Sequence, residues 1–202
     1  MQKKLNISVL ASGEGTTLQA IIDAVKSNAL SANFAIVLSN NLDSGALRRA
    51  NNGAIKTAHL SGTTHADPAQ LDQAICAALT DSKTDVVILA GYMKKIGPLT
   101  LAAFRNRIIN THPALLPKFG GHGMYGNRVH QAVLAAGEQE TGVSVHLVDE
   151  EYDTGAVIAQ ATVAVLAGDT VERLSARVQA TEKVLFVDTL QKIATGAIVL
   201  PQ

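Results

Sequence analysis

Four short apolar runs separated by helix-like stretches constrain this chain more than any other feature. The runs are Asn6 to Ala11, Phe34 to Ser39, Asp85 to Ala90 and Arg107 to Asn110. Helical patterns fill Leu18 to Lys26, Gly45 to Asn51 and Pro68 to Leu79, and Ala54 to Ala58 adds another short strand. The runs are apolar throughout rather than alternating, as parallel strands covered on both faces must be. Strands alternating with helices predict βαβ units wound on both sides of a parallel sheet.

The pattern changes after Thr141. Val143, Val145 and Leu147 alternate with Ser144 and His146, which reads as a half-solvated strand. Ala156 to Val165 is a second β-like run, and a hairpin return would give the sheet an antiparallel edge. The last helix is predicted to open at Asp169, with Glu172 three residues on as in a capping box. Its apolar stripe runs through Val171, Leu174, Val178 and Leu185. The predicted fold class is α/β: doubly wound, a mostly parallel sheet with an antiparallel edge toward the C-terminus. With 202 residues, 47% of them hydrophobic, one domain spanning 1–202 can bury a core without staples.

Seventeen Lys and Arg balance 17 Asp and Glu, and zero net charge argues against a nucleic-acid partner. A small anion can still be held by a local pocket. The single cysteine, Cys76, sits in a helical pattern and reads as a small buried apolar residue. One cysteine cannot form an internal disulfide, which favours a reducing compartment. Met1 to Lys4 runs straight into a strand without the apolar stretch of a signal peptide. No apolar run approaches the ~18 residues of a membrane span. The expectation is a soluble cytoplasmic protein with no membrane partner; oligomeric state is left open.

Chemistry is concentrated in Ile109-Asn110-Thr111-His112-Pro113, at the end of an apolar strand. Side chains two apart on a strand point the same way, so Asn110 and His112 present an amide donor and an imidazole side by side. Open α/β sheets build their sites at that edge. Carbonyl addition needs such a pair: a donor for the developing oxyanion and a group that handles protons. Asp153, between the two late β-runs, is placed to fold against His112 and raise its pKa. His146 points from the polar face of its strand toward the same cleft. His59 and His65 read as solvated, and His122 and His130 flank the glycine-rich stretch Phe119 to Gly126. No histidine pair has the spacing of a helical zinc site, so no metal is expected.

Two further places suggest a ligand. Ser12-Gly13-Glu14-Gly15-Thr16-Thr17 joins the first strand to a helix and turns backbone N–H groups toward an anion. Gly15, Thr16 and Thr17 are the phosphate contacts in this reading, and Glu14 must then point away. Glu182 falls inside the apolar stripe of the last helix, where a carboxylate needs a polar partner. Gln179 lies one turn earlier, and the two suit the hydroxyls of a sugar.

With these residues in place, the chain resembles the phosphoribosylglycinamide formyltransferase family, folate-dependent enzymes of purine synthesis. The resemblance is carried by Ser12 to Ile21, Leu89-Ala90-Gly91-Tyr92-Met93, Ile109 to Lys118, Gly142 to His146, Asp153-Thr154-Gly155 and Arg177 to Glu182. It implies that Asn110, His112 and Asp153 are the catalytic set. Gly15, Thr16 and Thr17 would hold the substrate phosphate, and Gln179 and Glu182 the phosphoribosyl part. Met93, Lys94, Lys95, Ile96, Asn110 and Asp149 would border the folate. The implied co-substrate is 10-formyltetrahydrofolate, the implied partner is glycinamide ribonucleotide, and no metal is implied. Lys94 and Lys95 replace an Arg followed by an apolar residue, and Pro68 stands where the family often has a folate-contacting Arg. Rival activities on the same pattern are hydrolysis of formyltetrahydrofolate, formylation of initiator methionyl-tRNA, and ligand binding without turnover. The first two occur in relatives with an added N-terminal or C-terminal domain, respectively.

Overall fold

The computed structural model describes residues 4–201, so the reading of Met1 to Lys3 lies outside it. Among the described residues five strands run parallel: β1 (Leu5–Leu10), β2 (Ala32–Ser39), β3 (Thr57–His59), β4 (Val86–Leu89) and β5 (Ile108–His112). Two more, β6 (Glu140–Leu147) and β7 (Val157–Ala164), are antiparallel and close one edge. The order is β3-β2-β1-β4-β5-β6-β7, so the winding reverses between β1 and β4. That reversal opens a crevice at the C-terminal ends of the strands. The expected doubly wound sheet with an antiparallel edge is what the chain forms.

Among the described residues six helices cover the sheet: α1 (Thr16–Lys26), α2 (Gly45–Asn52), α3 (Pro68–Asp81), α4 (Pro98–Ala103), α5 (Asn127–Ala135) and α6 (Val171–Ala194). Strand periodicity divides the core between the two faces. Ile7, Val9, Val145 and Leu147 pack with Leu18 and Ile21 of α1 and Phe186 and Leu190 of α6. Leu10, Val87 and Leu89 pack on the other face with Ile75 and Leu79 of α3 and Phe104. Asp72 of α3 is buried because it caps α4, accepting from the Leu99 and Thr100 N–H groups at 2.7 and 3.1 Å.

Four local expectations are corrected. The strand β6 is buried from Thr141 to Leu147 rather than half-solvated, because it lies between β5 and β7 and a loop covers its polar face. Ser144 donates to the Ala114 carbonyl at 2.7 Å and accepts from the Leu116 N–H at 2.9 Å, pinning that loop. The third strand starts later than Ala54 and ends at His59, which is half-buried. The cap of α6 is Thr170, which accepts from the Arg173 N–H. Asp169 is instead drawn into a two-pronged ion pair with Arg177, at 2.8 and 2.7 Å. Cys76 is half-buried, since Ile75 and Leu79 take the sheet-facing positions of α3.

Candidate active site

A cleft of about 620 Å³ opens where β4, β5 and the β6–β7 loop meet α6. Its lining includes Asn110, His112, Asp153, Gln179, Glu182 and His130. It is fed from both faces of the sheet. Asn110 and His112 point to the face of the β6–β7 loop, while Thr111 between them points to α6.

On the first face a chain of polar contacts is continuous. His112 is 3% exposed, and its Nε2 lies 2.7 Å from the Phe119 carbonyl oxygen. A carbonyl only accepts, so Nε2 carries a proton. The other ring nitrogen, Nδ1, stands 3.3 Å from Asp153 Oδ2. That oxygen also accepts from the Gly121 N–H at 2.9 Å. Across the antiparallel pair, Asn110 faces His146 in register, and their Nδ2 and Nε2 atoms are 3.1 Å apart. Asp153 has a left-handed backbone, with φ 59°. Asp149 holds the turn around it by accepting from the Glu151 N–H and the Thr154 hydroxyl.

The electrostatics correct one expectation. Burial pushes the His112 pKa down, and it outweighs the nearby Asp153 carboxylate and the Phe119 carbonyl, which push it up. The net position is below the ordinary histidine value, so the resting ring is neutral near pH 7. Asp153 behaves otherwise. Burial pushes its carboxyl up, but the positive charge a facing imidazole gains on protonation and the Gly121 N–H push it down further, and the balance leaves it below the usual range.

On the second face, Gly15 caps α1 with φ 69°, and no side chain caps the helix. A Cβ at Gly15 would lie 2.7 Å from the Ala46 Cα, so the tight turn requires glycine. The first N–H groups of α1 are left for an anion. Glu14 turns away toward α2, with Oε2 3.8 Å from an Arg48 nitrogen. The Thr17 hydroxyl is not free to meet an anion at this turn. It donates to Glu182 Oε1 at 3.1 Å, and Thr111 donates to the same oxygen at 3.0 Å. Burial raises the Glu182 pKa above its ordinary value. Gln179 donates to Ser175 at 3.2 Å on the cleft wall.

The residues expected to border the folate divide. Met93 and Lys94 line the cleft. The Met93 N–H is held by Ser12 Oγ at 2.8 Å, which ties this loop to the end of β1. Lys95 sits over the Tyr152 ring, 5.6 Å from its centroid. Ile96 is buried in the core beside Leu89 and Phe104, and Asp149 is occupied with its own turn. Neither reaches the cleft wall. Pro68 opens α3 behind the Asp67 cap. The Leu116–Pro117 peptide is cis. Among the described residues no cluster of three or more His, Cys, Asp or Glu is placed to hold a metal ion.

The sequence missed His130. It is buried at 2% exposure on α5, lines the cleft, and its Nδ1 has no hydrogen-bond partner. Burial lowers its pKa, and so does His112. No local signal marked it; only the fold of the glycine-rich loop brings it to the site.

Residues 5–190 match the model of a family described as formyl transferase. The chain belongs to the formyl transferase family. It is 38% identical to phosphoribosylglycinamide formyltransferase of Escherichia coli, over 95% of this chain and 88% of that protein. It is 37% identical to the chloroplastic phosphoribosylglycinamide formyltransferase of Vigna unguiculata, over 98% of this chain but 63% of that longer protein. The crystal structure of glycinamide ribonucleotide transformylase 1 from Symbiobacterium toebii superposes with a TM-score of 0.91 at 35% identity, covering 98% of this chain and 91% of the other. The resemblance read from the sequence is thus borne out across nearly the whole formyl transferase fold.

Proposed function

We propose that this chain transfers the formyl group of 10-formyltetrahydrofolate to the amine of glycinamide ribonucleotide. The observation that carries this is the shared cleft. An amide, an imidazole and a carboxylate converge at the end of β5, beside a carboxylate on α6 that is tied to the anion-binding turn. Acyl transfer between two bound small molecules needs those parts and no covalent intermediate on the protein.

In this reading the first N–H groups of α1, at Gly15, Thr16 and Thr17, hold the substrate phosphate. Gln179 and the free oxygen of Glu182 meet the ribose hydroxyls. The pterin end of the folate lies against Met93, Lys94 and Tyr92. The substrate amine attacks the formyl carbon. As the carbonyl oxygen gains charge, an Asn110 N–H and the His112 Nε2–H donate to it, the latter shared with the Phe119 carbonyl. The attacking nitrogen becomes cationic and must lose a proton. The ionised Asp153 carboxylate, which lines the cleft, can take that proton and pass it to the free Nδ1 of neutral His112, 3.3 Å away. The proton then goes to the folate nitrogen as the carbon–nitrogen bond to it breaks.

Residues 1–202 are read as one formyltransferase domain acting on small molecules, without nucleic acid, membrane or metal. The single cysteine fits a reducing, cytoplasmic setting. No helix among the described residues is long and apolar enough to cross a membrane.

The test is formyl transfer by the purified protein, with and without glycinamide ribonucleotide. Folate product only when the ribonucleotide is present supports the reading. Equal turnover without it would make the chain a hydrolase, and no turnover in either mix would end the proposal.

A further inference from the structure

His146 is buried at 2% exposure, touches Asn110 and faces Asp153, yet has no part in the mechanism above. Its Nδ1 lies 2.8 Å from the Leu147 carbonyl oxygen, an atom that can only accept. The neutral ring therefore carries its proton on Nδ1, and Nε2 offers a lone pair. Two groups compete for Nε2 with opposite demands. Asn110 stands at 3.1 Å and can donate; Asp153 Oδ1 stands at 3.5 Å and can only accept. A lone pair satisfies the first and repels the second. The Asn110 amide must then turn its NH2 side to His146, leaving the second N–H of the same group for the cleft.

We propose that His146 is a positioning residue that sets the orientation of the Asn110 amide, with the Leu147 carbonyl fixing the tautomer that makes this possible. With the opposite tautomer, Asn110 would present its oxygen to His146 and its NH2 group would swing away from the place it now holds. An amide alone has no such preference, because its two ends are nearly isosteric. This inference rests on Asn110 serving as the oxyanion donor.

The experiment joins a spectrum to a double-mutant cycle. Imidazole 15N shifts of the wild-type protein should show a protonated Nδ1 and an unprotonated, hydrogen-bonded Nε2 at His146. In the formyl-transfer assay His146→Leu should lower kcat ~10- to 100-fold with both KM values within ~3-fold, the cost of a misaimed donor. His146→Gln, whose NH2 can donate to Asp153 Oδ1 and so leave its oxygen to accept from Asn110, should recover to within ~5-fold of wild type. In an Asn110→Ala background, adding His146→Leu should change kcat by less than ~2-fold, because the two act as one unit. A protonated Nε2, full activity in His146→Leu, no rescue by Gln, or multiplying effects in the double variant would each overturn the proposal. If His146→Leu does not fold, the Gln variant and the wild-type spectrum still decide it. A wild-type protein without ribonucleotide-dependent turnover would instead sink the functional reading, while the spectrum judges the tautomer separately.

Discussion

Replacing Asp153 with Asn separates charge from shape at the centre of the site. Asn tolerates the left-handed backbone at φ 59° better than most residues. Its side-chain oxygen can still accept from the Gly121 N–H now bonded to Oδ2. Stability should therefore change by less than ~1 kcal/mol. Alanine would leave that N–H without its acceptor, at about 1–3 kcal/mol, and add left-handed strain of about 1 kcal/mol. The catalytic loss is larger. A full charge 3.3 Å from a protonated His112 interacts by about 5 kcal/mol at an effective dielectric near 20. Removing it should make proton uptake by the ring harder by a large part of that amount. Asp153→Asn is expected to lower kcat ~10²- to 10⁴-fold, about 3–5 kcal/mol of barrier, with substrate KM values nearly unchanged. Steady-state assay beside thermal melts of both variants measures this. An Asn variant within tenfold of wild-type kcat, with its melt unchanged, would show that the Asp153 charge does not assist the proton transfer.

Three further outcomes follow from the same geometry. The folded pKa of Glu182 is raised by burial, so its stabilising contribution is complete below its unfolded value near 4.5 and lost as pH rises through the folded value. Glu182→Gln should melt higher than wild type at pH 8, relative to their difference at pH 4, by roughly 2–4 °C per kcal/mol relieved. It should also raise KM for the ribonucleotide; an unchanged KM would remove Glu182 from the sugar site. The folded pKa values of His112 and His130 are lowered, so the unfolded chain binds protons first and stability declines as pH falls from about 6.5. His130→Gln should flatten that decline in melts taken from pH 7 to 5, and an equal slope would contradict the burial argument. Gly15→Ala forces a Cβ against Ala46 in a left-handed turn, and should cost about 1–3 kcal/mol in urea unfolding while raising KM for the ribonucleotide. A fully stable Ala variant with normal KM would show that the turn is not needed in its present form.

Much of this arrangement was legible in the residue pattern because local rules dominate where strands are buried on both faces. The runs containing Ile7, Val37, Val87 and Ile109 could hardly be anything but central strands. The pairing of Asn110 with His112 followed from strand periodicity alone, and the half-buried acid at Glu182 from helical periodicity. Errors arose where long-range packing overrides local pattern. Ser144 and His146 alternate with valines as solvated residues would, but a loop from the end of β5 covers Ser144 and supplies its partners, while His146 meets the Leu147 carbonyl and Asn110 of β5. Asp169 resembles a cap by its spacing to Glu172, yet Arg177 two turns on claims its carboxylate. His130 could not be found, since nothing in a nine-residue helix after a glycine-rich loop says which way the helix returns.

The pKa of His112 shows why sign has to be argued rather than assumed from a neighbour. A carboxylate beside an imidazole suggests a charged pair, and the sequence supports that picture. Burial reverses it, because the same closure that brings Asp153 to 3.3 Å also strips water from the ring. The result suits the proposed chemistry better than a resting ion pair would. An imidazolium could already donate to the formyl oxygen, but it could take no proton from the attacking amine. A neutral ring, its Nε2 proton held by the Phe119 carbonyl and its Nδ1 facing an ionised acid, can do both in sequence. It is a donor at one nitrogen from the start, and becomes a cation only when the amine must be deprotonated. Burial supplies the empty proton site, and Asp153 makes filling it affordable at that moment.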